Sequence, residues 1–311
     1  LEDHLLENGE RYDLIFISRG NTFNSCINQV KKYCPKAKIL FHTVDLHFLR
    51  EERQAKIENS KILTKQAKKS KKREISAIRK ADVSTVISKE ELNIISKILP
   101  KHNIQLLPLA RSVISATTSF ESRKNILFVG GFRHEPNVDA VKYFVREIMP
   151  LLRKEIKGVR FYIAGSNITK EILNLGSEDI FILGFVEKIQ PLMNRMKLSV
   201  APLRYGAGLK GKVCASMASG LPVVASDIAA EGFNTTNQKD LLIANSPQEF
   251  CTQIKNIYFD KRLWEKISKN GLELAQKNFG PEMLYISLSK IVSSIGFKIK
   301  NNKIPLKLYE E

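Results

Sequence analysis

No run of ~18 apolar residues, the length that would span a bilayer, occurs in this 311-residue chain. No signal-peptide pattern is legible in it either. Its four cysteines (Cys26, Cys34, Cys214 and Cys251) form no CxxC pair and no metal-ligand spacing. That excludes a disulfide framework or a zinc module and points to reduced thiols in a cytosolic protein. Acidic residues are scarce: 32 Asp and Glu face 50 Lys and Arg, a net charge of +18. Such an excess implies an anionic partner or surface, whether nucleotide, nucleic acid or acidic lipid. Aromatic residues are missing where nucleic acid would need them. The most basic run, KQAKKSKKR at 65–73, holds no ring on which a base would stack.

What is present is ample apolar material. With 43 % hydrophobic residues the chain can fill two cores, and its length suggests two domains at ~100–200 residues each. The stretch 198–232 organises the second half. Leu198 to Ala201 read as a buried strand, and Gly206 and Gly208 let the backbone turn and approach a ligand. Leu209, Val213 and Met217 repeat at helical spacing, Gly220 is placed to end that helix, and Pro222 opens the next strand. Lys210 and Lys212 fall in the helix's first turn, where cations are disfavoured by the helix dipole. A bound anion reverses that sign, since glycine loops and helix N-termini are natural phosphate sites. The plain alternative is a solvated helix start with two snorkelling lysines.

Strands alternate with helices along the chain. In the front half the strands are Asp13 to Ser18, Lys38 to Thr43, Asp82 to Ile87 and Ile104 to Pro108. The start reads as a helix end stopped at Gly9, and Asn24 to Tyr33 as a helix ended by Pro35. Arg50 to Lys80 reads as one long polar helix or a broken pair, with 12 basic and 4 acidic residues and a thin apolar stripe. That run is either a solvated face or a contact with an anionic membrane. Residues 109–124, rich in Ser and Thr, form the expected linker. Beyond it, strands are expected at Ile126 to Val129, Val159 to Ala164, Ile180 to Leu183, Leu198 to Ala201, Pro222 to Ala225 and Leu241 to Ala244. Helices at about 247–258, 260–278 and 281–296 complete the pattern, before a polar, frayed tail from Lys298. Strands and helices so spaced mean βαβ units and a doubly wound parallel sheet.

With those residues in place, the second half resembles the nucleotide-sugar-binding domain of group 1 glycosyltransferases of the GT-B fold. The resemblance runs through FVGGFRHEPNVDAVKYF, FYIAGS, LGFVEKIQPL, APLRYGAGLKGKV, SMASGLPVVAS, AAEGF and DLLIANSPQEF, over about 126–296. The front half matches more thinly, through YDLIFISR and FHTVDLHFLRE. The resemblance implies an α/β protein with two Rossmann-like doubly wound domains. The first, 1–118, is on the acceptor side and incomplete, so the chain is expected to be an N-terminally truncated fragment, inactive alone. The second, 119–311, binds the donor, and its last helix is expected to pack back on the first.

The activity so implied is sugar transfer from a nucleoside-diphosphate donor, bound in a cleft between the domains, to a glycan or lipid-linked acceptor. Retention is implied, in surface polysaccharide synthesis in a bacterium, at the cytoplasmic side, with the inner face of the plasma membrane as one location there. Lys210 and Lys212 match the family's basic pair on the donor diphosphate. Gly206, Gly208 and Leu209 belong to the loop before them, and Gly130, Gly131 and Arg133 line the phosphate end. Val186 lies where main-chain groups meet the base, and Glu231 in a loop facing the same pocket. Asp45 and His47 are the nearest equivalents of the family's acceptor-side pair, His47 near the sugar and Asp45 orienting it. Their bland role, with His42, is to cap the next helix.

The family's two glutamates, with seven residues between them, are replaced by Ala207 and Ala215. No Asp-x-Asp triplet occurs, so the metal scheme of the other large glycosyltransferase fold lacks its ligands. Neither metal nor other cofactor is expected, nor nucleic acid as partner. The alternative reading is a non-catalytic relative that binds a nucleotide or glycan as a partner subunit.

Overall fold

Apolar runs such as LIFIS and ILFV lack the alternation of a half-solvated strand and need cover on both faces. The computed structural model, which describes residues 1–113 and 118–299, places them in two sheets, and every ladder between named strands is parallel. One unit takes Leu1–Leu109, Ala207–Leu209 and the chain from Glu282 on; the other takes Ala110–Gly206 and Lys210–Pro281.

The first unit runs α1 (Glu2–Asn8), β1 (Leu14–Ser18), α2 (Gly20–Tyr33), β2 (Lys38–His42), α3 (His47–Ile57), α4 (Lys61–Lys80), β3 (Val83–Val86), α5 (Lys89–Ile98) and β4 (Ile104–Leu106). Its sheet keeps chain order, β1-β2-β3-β4, as one half of a doubly wound sheet does. The core gathers Phe23, Ile27, Phe41, Phe48, Ile78 and Ile95, with the Phe23 and Phe41 rings 4.6 Å apart.

Three local expectations are corrected or decided here. Gly9 does not end α1 in a left-handed turn; at φ −59° it continues into a 3-10 turn, Gly9–Arg11. It is glycine for packing, since a Cβ there would stand 2.1 Å from the Tyr33 carbonyl oxygen at the end of α2. Helix α2 starts at Gly20 rather than Asn24, because Phe23 belongs to its buried face. The polar segment is a broken pair: Asn59 adopts φ +48°, and Ser60 caps α4 by accepting from the Leu63 N–H.

The second unit runs β5 (Lys124–Val129), α6 (Glu135–Tyr143), a π-helical turn (Phe144–Ile148), α7 (Met149–Glu155), β6 (Phe161–Ala164), α8 (Lys170–Leu173), β7 (Ile180–Gly184), α9 (Ile189–Arg195) and β8 (Met196–Ala201). It continues with α10 (Gly211–Ala218), β9 (Val223–Ala225), α11 (Asp227–Ala230), β10 (Leu242–Ile243), α12 (Pro247–Phe259) and α13 (Lys261–Phe279). Its sheet order is β10-β9-β8-β5-β6-β7, so the winding reverses between β5 and β8. Such a reversal opens a crevice at the C-terminal ends of the two strands, where ligands of open α/β sheets bind.

Within the expected linker, 114–117 lie outside the described residues. Its later part is tied into the second unit. Arg123 is buried, with Nε donating to the Thr118 carbonyl and Nη1 to those of Met193 and Met196. Lys197 donates to the Phe120 carbonyl at 2.5 Å. Helix α14 (Pro281–Ser293) carries Leu284, Leu288 and Ile291 onto Leu40, Val83 and Leu107 of the first unit. The tail read as frayed lies outside the described residues from 300 on.

Candidate functional site

At the sheet's reversal the loops after β5 and β8 are held by close packing. Gly165 has no room for a side chain, as a Cβ would stand 1.8 Å from the Gly130 carbonyl oxygen. A Cβ on Gly130 would meet Asn137 Nδ2 at 2.8 Å. Asn137, nearly fully buried in α6, donates from Nδ2 to the Gly131 carbonyl at 2.7 Å, and its Oδ1 accepts from Lys212 Nζ. One amide therefore fixes both the β5 loop and the lysine.

Lys212 is half-buried as a residue, but its ammonium is packed deep, 4.2 Å above the Phe128 ring. Desolvation, with Lys210 adding repulsion, brings its pKa down to about 7. Lys210 is the N-cap of α10 and buried, with Nζ 3.7 Å from a Glu231 carboxylate oxygen. Arg111 adds a third cation: its Nη2 lies 3.5 Å from where a Cβ on Gly211 would stand. Two lysines and an arginine thus come from or reach the start of α10, with Glu231 as counter-charge to Lys210. Like charges gathered there repel one another, and an anion is the ligand that relieves them. Cys214 in the same helix is buried, its thiol pushed up to about 12, and has no nucleophilic role at neutral pH.

The other expected donor-side residues scatter more. Gly208, at φ +65°, makes the turn that a side chain would strain, and Leu209 is buried; both, with Ala207, group with the first unit. Gly206 leaves the Lys210 side chain room, its would-be Cβ 3.3 Å from Lys210 Cε. Glu231 is the counter-charge of Lys210. Arg133 is exposed. Val186 and Ala215 pack on one apolar cluster with Leu127, Ala164, Met193 and Leu221. Ala215 and Val186 thus share one apolar cluster. Asn137 and Arg111 were not singled out in the sequence. Asn137 lies within the run FVGGFRHEPNVDAVKYF but was given no role there, and Arg111 sits in the stretch read as linker.

In the first unit the structure brings Asp45 and His47 together: His47 Nε2 lies 3.1 Å from one Asp45 oxygen, and Arg50 Nη1 donates to the other at 2.6 Å. The Asp45 hydrogen bond raises the His47 pKa against desolvation, so the imidazolium persists to higher pH than in free histidine. Leu46, the N-cap of α3, makes no side-chain cap. Glu74 of α4 accepts from the His47 and Phe48 N–H groups at 3.0 and 3.1 Å, and Glu91 accepts from those of Leu46 and Ile87. Val44, just before the pair, is held at φ +69°, a costly conformation for a β-branched residue. His42 instead bonds Thr85 Oγ1 through Nδ1 and stacks on Phe16, and burial lowers its pKa. Among the described residues no three His, Cys, Asp or Glu side chains gather to hold a metal ion.

Comparison with known proteins follows the same division. Residues 123–260 match the family model described as glycosyl transferases group 1. An uncharacterized protein from the cps region of Klebsiella pneumoniae is 25 % identical over 175 residues, 53 % of this chain and 45 % of that protein. Among solved structures, TarM superposes with a TM-score of 0.76 at 17 % identity over 95 % of this chain and 57 % of its own. Sucrose-phosphate synthase from Thermosynechococcus elongatus gives 0.72 at 16 %, over 92 % and 74 %. Anabaena HepE with UDP and glucose gives 0.71 at 13 %, over 94 % and 81 %. The likeness establishes the GT-B fold. The chain spans about half the length of the first relatives it matches.

Proposed function

Because residues 123–260 match the family model of group 1 glycosyl transferases, we propose that the chain is part of an enzyme that moves a sugar from a nucleoside-diphosphate donor to a glycan or lipid-linked acceptor. The observation that carries this is the cation set of Lys210, Lys212 and Arg111 around the start of α10, at the sheet's reversal. In this reading the bond from the anomeric carbon to the diphosphate oxygen breaks as the acceptor oxygen bonds to that carbon. The charge left on the nucleoside diphosphate is stabilised by the two lysines and the helix N–H groups, with no metal required. His47, whose pKa the Asp45 hydrogen bond raises, is the acceptor-side proton carrier or polar contact. Retention of the anomeric configuration is part of the proposal and is supported only by the likeness to the family. The cps-region relative supports a role in surface polysaccharide synthesis, and the basic run at 50–80 supports contact with an anionic membrane on the cytoplasmic side.

Calorimetric titration of the chain with UDP, GDP and dTDP tests the donor site. UDP comes first because TarM, HepE and a pneumococcal O-GlcNAc transferase were each solved with it. Saturable binding by one nucleotide is expected, weakened roughly 10- to 100-fold by Lys212→Ala, the worth of a charged hydrogen bond. Ala207 and Ala215 favour a second reading, a nucleotide- or glycan-binding partner subunit without turnover. Binding by none of the three nucleotides would favour it over the enzyme.

A further inference from the structure

Helix α4 is 20 residues long, about 30 Å, and has two faces of opposite purpose. At 100° per residue, Lys61, Lys65, Lys68, Lys72 and Arg79 fall on one line along it, all exposed. Lys69, Arg73 and Lys80 flank that line, also exposed. The one acidic residue of the helix, Glu74, points the other way and is buried. At the N-terminal end of the stripe two apolar side chains stand in solvent, Ile62 at 80 % exposure and Ile57 of α3 at 43 %.

We propose that α4 is a docking element whose outer face binds an anionic lipid bilayer, with Ile57 and Ile62 entering the headgroup region. A straight, convex row of lysines matches a plane of anionic headgroups, each Lys adding attraction at the surface. Exposed isoleucines beside the cations gain from burial at the acyl boundary and would gain nothing on a phosphate backbone. No aromatic residue interleaves the stripe to stack a base, which sets nucleic acid aside. The inner face of the same helix carries Glu74, which holds the His47 and Phe48 N–H groups. A bilayer on the outer face therefore lies about one helix diameter, ~10 Å, from the Asp45–His47 loop. The inference rests on the proposed sugar transfer only for the meaning of that loop.

The test is co-sedimentation of the 311-residue chain with vesicles of pure phosphatidylcholine or with 30 % phosphatidylglycerol (roughly the anionic content that gives a strong surface potential). The chain is expected to bind only the anionic vesicles, less so as salt rises. Lys65→Gln/Lys68→Gln/Lys72→Gln should lower partitioning by about two orders of magnitude, at ~5-fold per lysine. Lys157→Gln/Lys266→Gln/Lys277→Gln removes as much charge from exposed positions of the second unit and should leave binding unchanged. Ile62→Trp should blue-shift its emission on anionic vesicles. Equal binding to both vesicle types, no binding to either, or equal loss in the two triple variants would overturn the proposal. So would stripe-dependent binding of single-stranded RNA by a chain that leaves vesicles alone. Calorimetry of UDP without vesicles reports separately on the donor site.

Discussion

Lys212 meets its surroundings with a pKa near 7, brought down by desolvation and by Lys210, and a diphosphate against it would push that value back up. Below pH 7 the ammonium is already formed; above it, binding must draw a proton from solvent. Nucleotide affinity is therefore expected to fall above pH 7, by up to tenfold per pH unit, for as long as the complex keeps the proton. Calorimetry at pH 8 in two buffers of different ionisation heat should report uptake of nearly one proton. Lys212→Arg, charged throughout, should flatten the profile. A wild-type chain that binds without uptake would show that Lys212 does not meet the phosphates. The local sequence displayed this lysine as a cation where a helix start disfavours one, and the family resemblance set it against the donor diphosphate. What it left out was Asn137, 75 positions away, whose amide fixes it. An amide that bridges a loop carbonyl and an ammonium has no pattern of its own, because its partners meet only once the sheet has formed.

Helix α3 begins with its N–H groups answered from another helix. Glu74, 27 residues after His47, takes the place that a Ser or Asp N-cap would hold, and Leu46 offers no side-chain cap. Glu74→Ala is expected to destabilise the first unit by roughly 2–4 kcal/mol, since two N–H groups lose their acceptor in a buried place. Glu74→Gln, with one acceptor oxygen left, should cost about half of that. Urea denaturation followed by circular dichroism measures both. Equal stability of all three chains would show that water caps α3 instead. The same comparison explains what was legible. Buried parallel strands are apolar runs, so β1, β2, β5 and β8 stood out, and alternation with helices gave the fold class. The break between α3 and α4 was visible only as an option, because Asn59, which turns left-handed, is one polar residue among many in that run. Asp45 and His47 were legible as a pair, but the carboxylates that frame them, Glu74 and Glu91, lie outside the local sequence.

The two units differ in what they need from the rest of the chain. Lys210, Lys212, Arg111, Asn137 and Glu231 all belong to the second, and its buried Phe128, Phe144, Phe161, Phe250 and Trp264 come from within 110–281. Arg123 and Lys197 fasten the residues just ahead of β5 to the base of the same sheet. Helix α14, by contrast, lends Leu284, Leu288 and Ile291 to the first unit's sheet, so a cut after Pro281 removes nothing from the second core. Residues 110–281 are therefore expected to fold alone, with a single cooperative thermal transition. They should bind UDP within about threefold of the 311-residue chain, less than 1 kcal/mol apart. A fragment that folds but binds more than about tenfold more weakly would show that the first unit supplies donor affinity. A fragment that fails to fold would show that the second core depends on chain outside 110–281. Should the expectation hold, nucleotide choice is fixed by 110–281 alone, and what the first unit adds is sought in the acceptor loop of Asp45 and His47 and in the basic face of α4.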